Sequence, residues 1–228
     1  MERHAGIEDA VATQRPAIRI NLVSDYICPW CFIGLARLEK LRADYDIQLD
    51  TTAYELRPGM PPEGVSREDA SKGRTYPEGY LDNLRNTALG AGIEMKRPPH
   101  IPNTLKAHEA TEFVKEHGGD VWAIQRALFH AYFEEERNIG DIEVICEVAA
   151  SVGVDADDLR SALQESRYAG EVARQIQWAR DVGVTGVPTV IFNEKFAIVG
   201  AQDELVFRDV AKRVAAGRVE SDESHATA

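Results

Sequence analysis

Residues 17–43, AIRINLVSDYICPWCFIGLARLEKLRA, place two cysteines where one apolar rhythm gives way to another. Upstream of them, Ile18, Ile20, Leu22 and Val23 form a short β-branched run without an internal breaker, which reads as a buried strand. Downstream, Phe32, Leu35, Leu38 and Leu41 recur three apart among Arg37, Glu39, Lys40 and Arg42, so residues 29–43 read as a helix with one apolar face. Residues 47–56, IQLDTTAYEL, suit a second strand. The unit is strand, Cys-Pro-Trp-Cys turn, helix and strand, with the turn at the carboxyl end of the first strand.

On its own a Cys-x-x-Cys pair is half a zinc site, a redox dithiol or an accident, and zinc would require two further soft ligands. Placement favours redox chemistry. A cysteine exchanges as its thiolate, and a sulfur at a helix start faces the free N–H groups and positive dipole end of the first turn. Pro29 suits the first helical position, where no N–H bond is lost. Cys28 is therefore the expected nucleophile and Cys31, nearer the helix body, the resolving thiol. Neither Pro29 nor Trp30 adds a charge between them.

Farther along, residues 57–103 hold most of the prolines, in RPGMPPEG and RPPHIPN, and the chain is expected to leave the sheet there. Helices are expected from Thr104 to Glu116, through GDVWAIQRALFHAYFEEE with its apolar stripe Trp122, Leu128, Phe129, Tyr132 and Phe133, and from the N-cap Asp141 to Gly153. Two more follow, from Asp155 to about Gln164 and from about Tyr168 to Val182. Sheet text returns in TGVPTVIFN, a turn at Asn193–Glu194, and KFAIVGAQ, and a last helix runs from Asp203 to about Ala216 with Leu205, Val206, Val210 and Val214 on one side. The predicted fold class is α/β, a thioredoxin fold with a large helical insertion between its βαβ and ββα halves. Its expected parts are residues 17–56 and 184–216 for the thioredoxin domain and 57–183 for the insertion, with tails at 1–16 and 217–228.

The second chemical element is Gly186-Val187-Pro188-Thr189, just before a strand, where a proline marks a turn or a cis bond. In this topology it faces Cys28, and the backbone of Val187 is free to add an extended peptide as a strand. Pro29, Trp30, Val187 and Pro188 are thus the residues expected to meet substrate.

Taken together, Cys-Pro-Trp-Cys on a helix start, the helical block, Gly-Val-Pro-Thr and the trailing VGAQ resemble the DsbA-family thioredoxin-fold proteins of the FrnE and 2-hydroxychromene-2-carboxylate isomerase type over about residues 17–215. The resemblance implies thiol-disulfide oxidoreductase activity on polypeptide thiols or disulfides, attack by Cys28 and a cis Pro188. It also implies that Asn103 and His108, in NTLKAH, line the pocket. The sequence departs from related patterns at three points. Leu22 stands where thioredoxins keep a buried acid, no cysteine pair follows Cys146, and a cysteine occupies position 28 where the isomerase and kappa-class transferase branch usually has serine. The alternative is a glutathione-dependent isomerase or kappa-type transferase on a small aromatic substrate; a third reading is a chaperone-like peptide binder with a vestigial dithiol.

The 228 residues carry 26 basic and 38 acidic side chains, a formal charge of −12, which argues against general binding to phosphate backbones. No apolar run is long enough to span a membrane. The opening MERHAGIEDAVATQRP has no apolar signal core, and three cysteines fit a reducing compartment, so the expected location is cytoplasmic. No tightly bound cofactor and no metal is expected, glutathione is a candidate co-substrate, and the chain is expected as a monomer or homodimer. Cys146 on its apolar stripe reads as a small core residue, and His130, beside Phe129 and Tyr132, as a packed structural histidine. Asp25 and Tyr26 suit either the strand end or the site.

Overall fold

A computed structural model describes residues 15–73 and 75–217. Most of both expected tails therefore lies outside the described residues. The apolar run forms strand β1 (Ala17–Ser24), in which Ile18, Ile20 and Leu22 are buried. After the cysteine turn come helix α1 (Pro29–Lys40), a 3₁₀ turn (Leu41–Ala43) and strand β2 (Asp46–Ala53), parallel to β1 with Ile20 opposite Leu49. A two-stranded ribbon and two helices follow: β3 (Val65–Ser66), α2 (Arg67–Ser71), α3 (Tyr80–Gly90) and β4 (His100–Ile101). Helices α4 (Leu105–Glu116), α5 (Val121–Phe133), α6 (Ile142–Ala150), α7 (Ala156–Gln164) and α8 (Ala169–Asp181) then lead back to β5 (Thr189–Phe192), β6 (Phe196–Val199) and α9 (Glu204–Ala215).

The main sheet has the order β2-β1-β5-β6, with β5 antiparallel to both β1 and β6. This is the α/β thioredoxin fold with a helical insertion between its strand halves. The hairpin turns on Asn193 and Glu194, both at positive φ, a conformation asparagine tolerates better than most residues. Asn193 is fixed to β1 by its side-chain oxygen, which accepts from the Arg19 amide at 2.8 Å. The outer edge of β2 would expose unpaired backbone, but α8 packs on it. The Ala53 amide donates to Gln175 Oε1 at 2.9 Å, and Val172 and Ile176 meet Ala53. Although α8 falls inside the expected insertion, it is bound to the sheet.

Helix α1 is enclosed on more than the one apolar face its sequence suggests, since Cys31, Phe32, Ile33, Gly34 and Leu35 are all buried. Phe32 stacks on Phe129 of α5 with ring centroids 5.4 Å apart, while Arg37 donates to the carbonyls of Ala201 and Gln202 at 2.7 and 2.6 Å. The VGAQ stretch is thereby anchored to the helix that carries the cysteines.

Residues 57–103 leave the main sheet and build α2, α3 and a small ribbon. Two expectations are corrected. The buried stripe of α9 is Phe207, Ala211 and Val214; Leu205 is 74% exposed and Val206 also faces out. The face is set by Phe207 reaching Phe192 of β5, with ring centroids 6.5 Å apart. His130 is exposed beside Glu135, because it sits a helical step away from the buried stripe. Cys146 is fully buried on α6. Among the described residues no helix is long and apolar enough to cross a membrane.

Candidate active site

The chain turns from β1 to α1 in four residues, and each backbone bond in that turn helps set the cysteines. Cys28 is the N-cap of α1; its amide donates to the Asp25 carbonyl at 3.0 Å, and the Cys31 amide donates to the Cys28 carbonyl at 3.0 Å. Pro29 opens the helix, and the first turn contains no acid to oppose a thiolate. The two sulfurs differ in access, Cys28 being 4% exposed and Cys31 0%. Burial, followed by the neighbouring Cys28, pushes the Cys31 thiol well above its ordinary range.

Opposite, the Val187–Pro188 peptide is cis, and Cys28 Sγ lies 3.6 Å from the Val187 carbonyl oxygen, to which its thiol donates. Thr189 Oγ1 closes the loop by donating to the Gly186 carbonyl at 2.7 Å. Gly34, one helical turn below Cys31, lets the proline ring sit close: a Cβ there would stand 3.0 Å from Pro188 Cγ. In a helix interior Gly→Ala gains about 1 kcal/mol of propensity, which here is set against displacement of that ring. Gly34→Ala is therefore expected to change stability by less than about 1 kcal/mol while slowing disulfide exchange several-fold. Thermal melts and exchange rates on the same variant check this, and a parallel loss in both would refute it.

Beneath the turn lies a buried polar layer. Asp25 is completely buried: Oδ1 accepts from Thr104 Oγ1 at 2.8 Å and the Ile27 amide at 3.3 Å, and Oδ2 accepts from the Leu56 amide at 2.8 Å. His108 is buried with Nε2 3.9 Å from Asp25 Oδ1, its ring 5.0 Å from that of Tyr26. Tyr26 Oη is 2.5 Å from Thr111 Oγ1. Asn103 donates to the Met60 carbonyl at 2.8 Å and accepts from the Leu105 amide at 3.0 Å, a tie at the start of α4. Contrary to the expectation that Asn103 and His108 line the pocket, neither lines the cavity over Cys28; both belong to the layer behind it. Leu22 occupies the position of the relay acid, yet Asp25 brings a buried carboxyl to the turn from three residues later.

Cys28, Pro29, Trp30 and Val187 open into a cavity of about 550 Å³. Its roof comes from the segment after β2. Tyr76 and Tyr80 stack with centroids 5.1 Å apart, and Trp30 Nε1 donates to Tyr80 Oη at 3.0 Å. Arg57, Arg67, Arg85, Lys96 and Arg97 line the same space together with Tyr132 and Phe133. Arg67 donates to the Pro98 carbonyl and, at 3.2 Å, to Tyr132 Oη. Burial pushes the Tyr132 hydroxyl up to about 12, so it stays protonated near neutral pH. Among the described residues no three His, Cys, Asp or Glu side chains are grouped to hold a metal ion.

A thioredoxin sheet, a reachable cysteine at the start of α1, a buried one behind it and a cis-proline loop facing them define a DsbA-like protein. The model of the DSBA-like thioredoxin domain matches residues 19–211, and the chain belongs to this family. It is 31% identical over 194 residues to the uncharacterized protein YwbO of Bacillus subtilis, covering 83% of this chain and 94% of that one. The crystal structure of the probable DsbA oxidoreductase SCO1869 from Streptomyces coelicolor superposes with a TM-score of 0.78 at 28% identity, over 92% of this chain and 95% of that one. A 2-hydroxychromene-2-carboxylate isomerase shares the fold, with a TM-score of 0.69 at 18% identity over 89% of this chain and 100% of that one.

Proposed function

We propose that this protein is a thiol-disulfide oxidoreductase in which Cys28 attacks and Cys31 resolves. The observation that carries the reading is the asymmetry of the pair: Cys28 opens into a cavity beside the Val187 carbonyl, and Cys31 is sealed beneath it. The Cys28 thiolate forms a mixed disulfide with one substrate sulfur and expels the other; Cys31 then loses its proton, attacks Cys28 Sγ and releases the first sulfur as a thiol. The reaction runs equally in reverse. Exposure of only 4% at Cys28 suits a polypeptide that arrives extended, aligned on the backbone of Val187, or a small disulfide. In a reducing cytoplasm the pair rests mostly as the dithiol, which suits reduction or isomerisation of disulfides, with glutathione as a co-substrate.

Equilibration in glutathione buffers, read by alkylation and mass, tests this. A single two-electron couple linking Cys28 and Cys31 is expected. A stable glutathione adduct on Cys28, or no disulfide, would refute it and favour the second reading, a glutathione-dependent isomerase or transferase. That reading draws on Tyr76 and Tyr80 in the roof, with Trp30 below bonded to Tyr80, around a cavity sized for a small ring compound.

A further inference from the structure

The chain has a formal charge of −12, so a surface hollow taken at random would be lined more by acids than by bases. The cavity above Cys28 is the opposite. Arg57, Arg67, Arg85, Lys96 and Arg97 line it and no Asp or Glu does. These cations come from the loop after β2, from α2, from α3 and from the strip before β4, so four segments converge on one small volume. Arg67 is held by neutral partners, the Pro98 carbonyl and the Tyr132 hydroxyl, which leave its charge uncompensated. Arg85, Lys96 and Arg97 are exposed at the mouth, and no salt bridge among the described residues engages them.

We infer that the site selects anionic substrates: disulfides and thiols that carry a carboxylate within a few bonds of the sulfur. This rests on the oxidoreductase reading and adds the substrate's charge to it. With sulfur at the Cys28 floor, a flanking carboxylate falls among the cations in place of water. Their summed field also raises the local concentration of an approaching anion. Electrons and atoms balance as in ordinary exchange. The Cys28–Cys31 dithiol gives two electrons to the anionic disulfide, both substrate halves leave as thiols, and an external dithiol, dithiothreitol in the assay, restores the reduced pair.

Three disulfides with the same two-carbon spacer separate charge from shape: 3,3′-dithiodipropionate, 2-hydroxyethyl disulfide and cystamine. Each rate is divided by the uncatalysed rate with dithiothreitol. The expected order of kcat/KM is anionic, neutral, cationic, with about tenfold or more between the first and last. Added salt should shrink that ratio in the unaltered protein, and Arg85→Glu with Arg97→Glu should bring it below about threefold. Equal rates across the three on the unaltered protein would overturn the inference while leaving the oxidoreductase reading intact. Failure to reduce even the neutral compound, with no Cys28–Cys31 couple, would instead overturn the oxidoreductase reading. A cysteine-disulfide peptide with acidic flanks, set against one with basic flanks, distinguishes the source. A faster acidic peptide than 3,3′-dithiodipropionate assigns the substrate to unfolded chains, and the reverse assigns it to low-molecular-weight disulfides.

Discussion

Cys28→Ser is expected to lower disulfide exchange by at least about a thousandfold while leaving the melting temperature nearly unchanged. A serine hydroxyl is a far weaker nucleophile than a thiolate near neutral pH, and Cys31, fully buried, cannot take over the attack. The oxygen fits where the sulfur was, with the Val187 carbonyl as its acceptor. Cys31→Ser should behave differently: the first attack proceeds, and the protein accumulates as a mixed disulfide on Cys28 that mass spectrometry reads directly. In the unaltered protein the two steps should also separate by pH. Because burial raises the Cys31 pKa, its thiolate fraction climbs about tenfold per pH unit through the neutral range, and resolution should quicken accordingly. A resolution rate that stays flat from pH 6 to 9 would contradict the assigned roles. If Cys28→Ser retained turnover, a chaperone-like or glutathione-based activity would have to replace the dithiol mechanism.

The parts of this molecule that were legible in its sequence are those in which a local pattern and the tertiary fold agree. The β1 run, the cysteine turn and α1 form a sharp change of period, and Asn193–Glu194 mark a hairpin that the backbone makes at positive φ. Acidic N-caps at Asp141, Asp155 and Asp203 fixed helix starts because each side chain accepts from an amide of its own first turn. The roof was not legible, for the opposite reason. In α3 only Ala88 is buried, and its tyrosine and arginine face a cavity, so no apolar period is written there. The two histidines show the same limit. His130 is next to Phe129 in the chain but turned away from it in space, while His108 shares its face with Ala107 and Thr111, small residues that let other elements come close enough to bury an imidazole. An aspartate ending an apolar strand directly before the cysteine turn was the available signal for Asp25, and it reads equally well as a strand end.

Asp25→Ala is the substitution expected to cost the most stability, about 3 kcal/mol, because one carboxyl serves three donors, two of them from distant parts of the chain. It accepts from the Ile27 amide in the turn, from the Leu56 amide beyond β2 and from Thr104 at the start of α4. The replacement leaves the part-buried Leu56 and Ile27 amides without their acceptor, at roughly 1–3 kcal/mol for a well-made bond and less for the 3.3 Å one, while the Thr104 hydroxyl can rotate elsewhere. In a chain of this size that is a fall in melting temperature of about 6–12 °C. Asp25→Asn keeps the shape but turns one acceptor into a donor, so it should fall between the two, and Thr104→Val should cost only about 1 kcal/mol. The graded series matters because a merely space-filling role would make the Asn variant neutral. Function should fail before the fold does. The Cys28 amide hangs from the Asp25 carbonyl, so loosening the side chain lets the helix start drift from Val187, and exchange protection at Leu56 and Cys28 should fall together at temperatures where the sheet is still intact. If those amides stayed as protected as the rest of β1, the carboxyl would be a passenger, and the position of Cys28 would have to be set by α1 and the Pro188 loop alone.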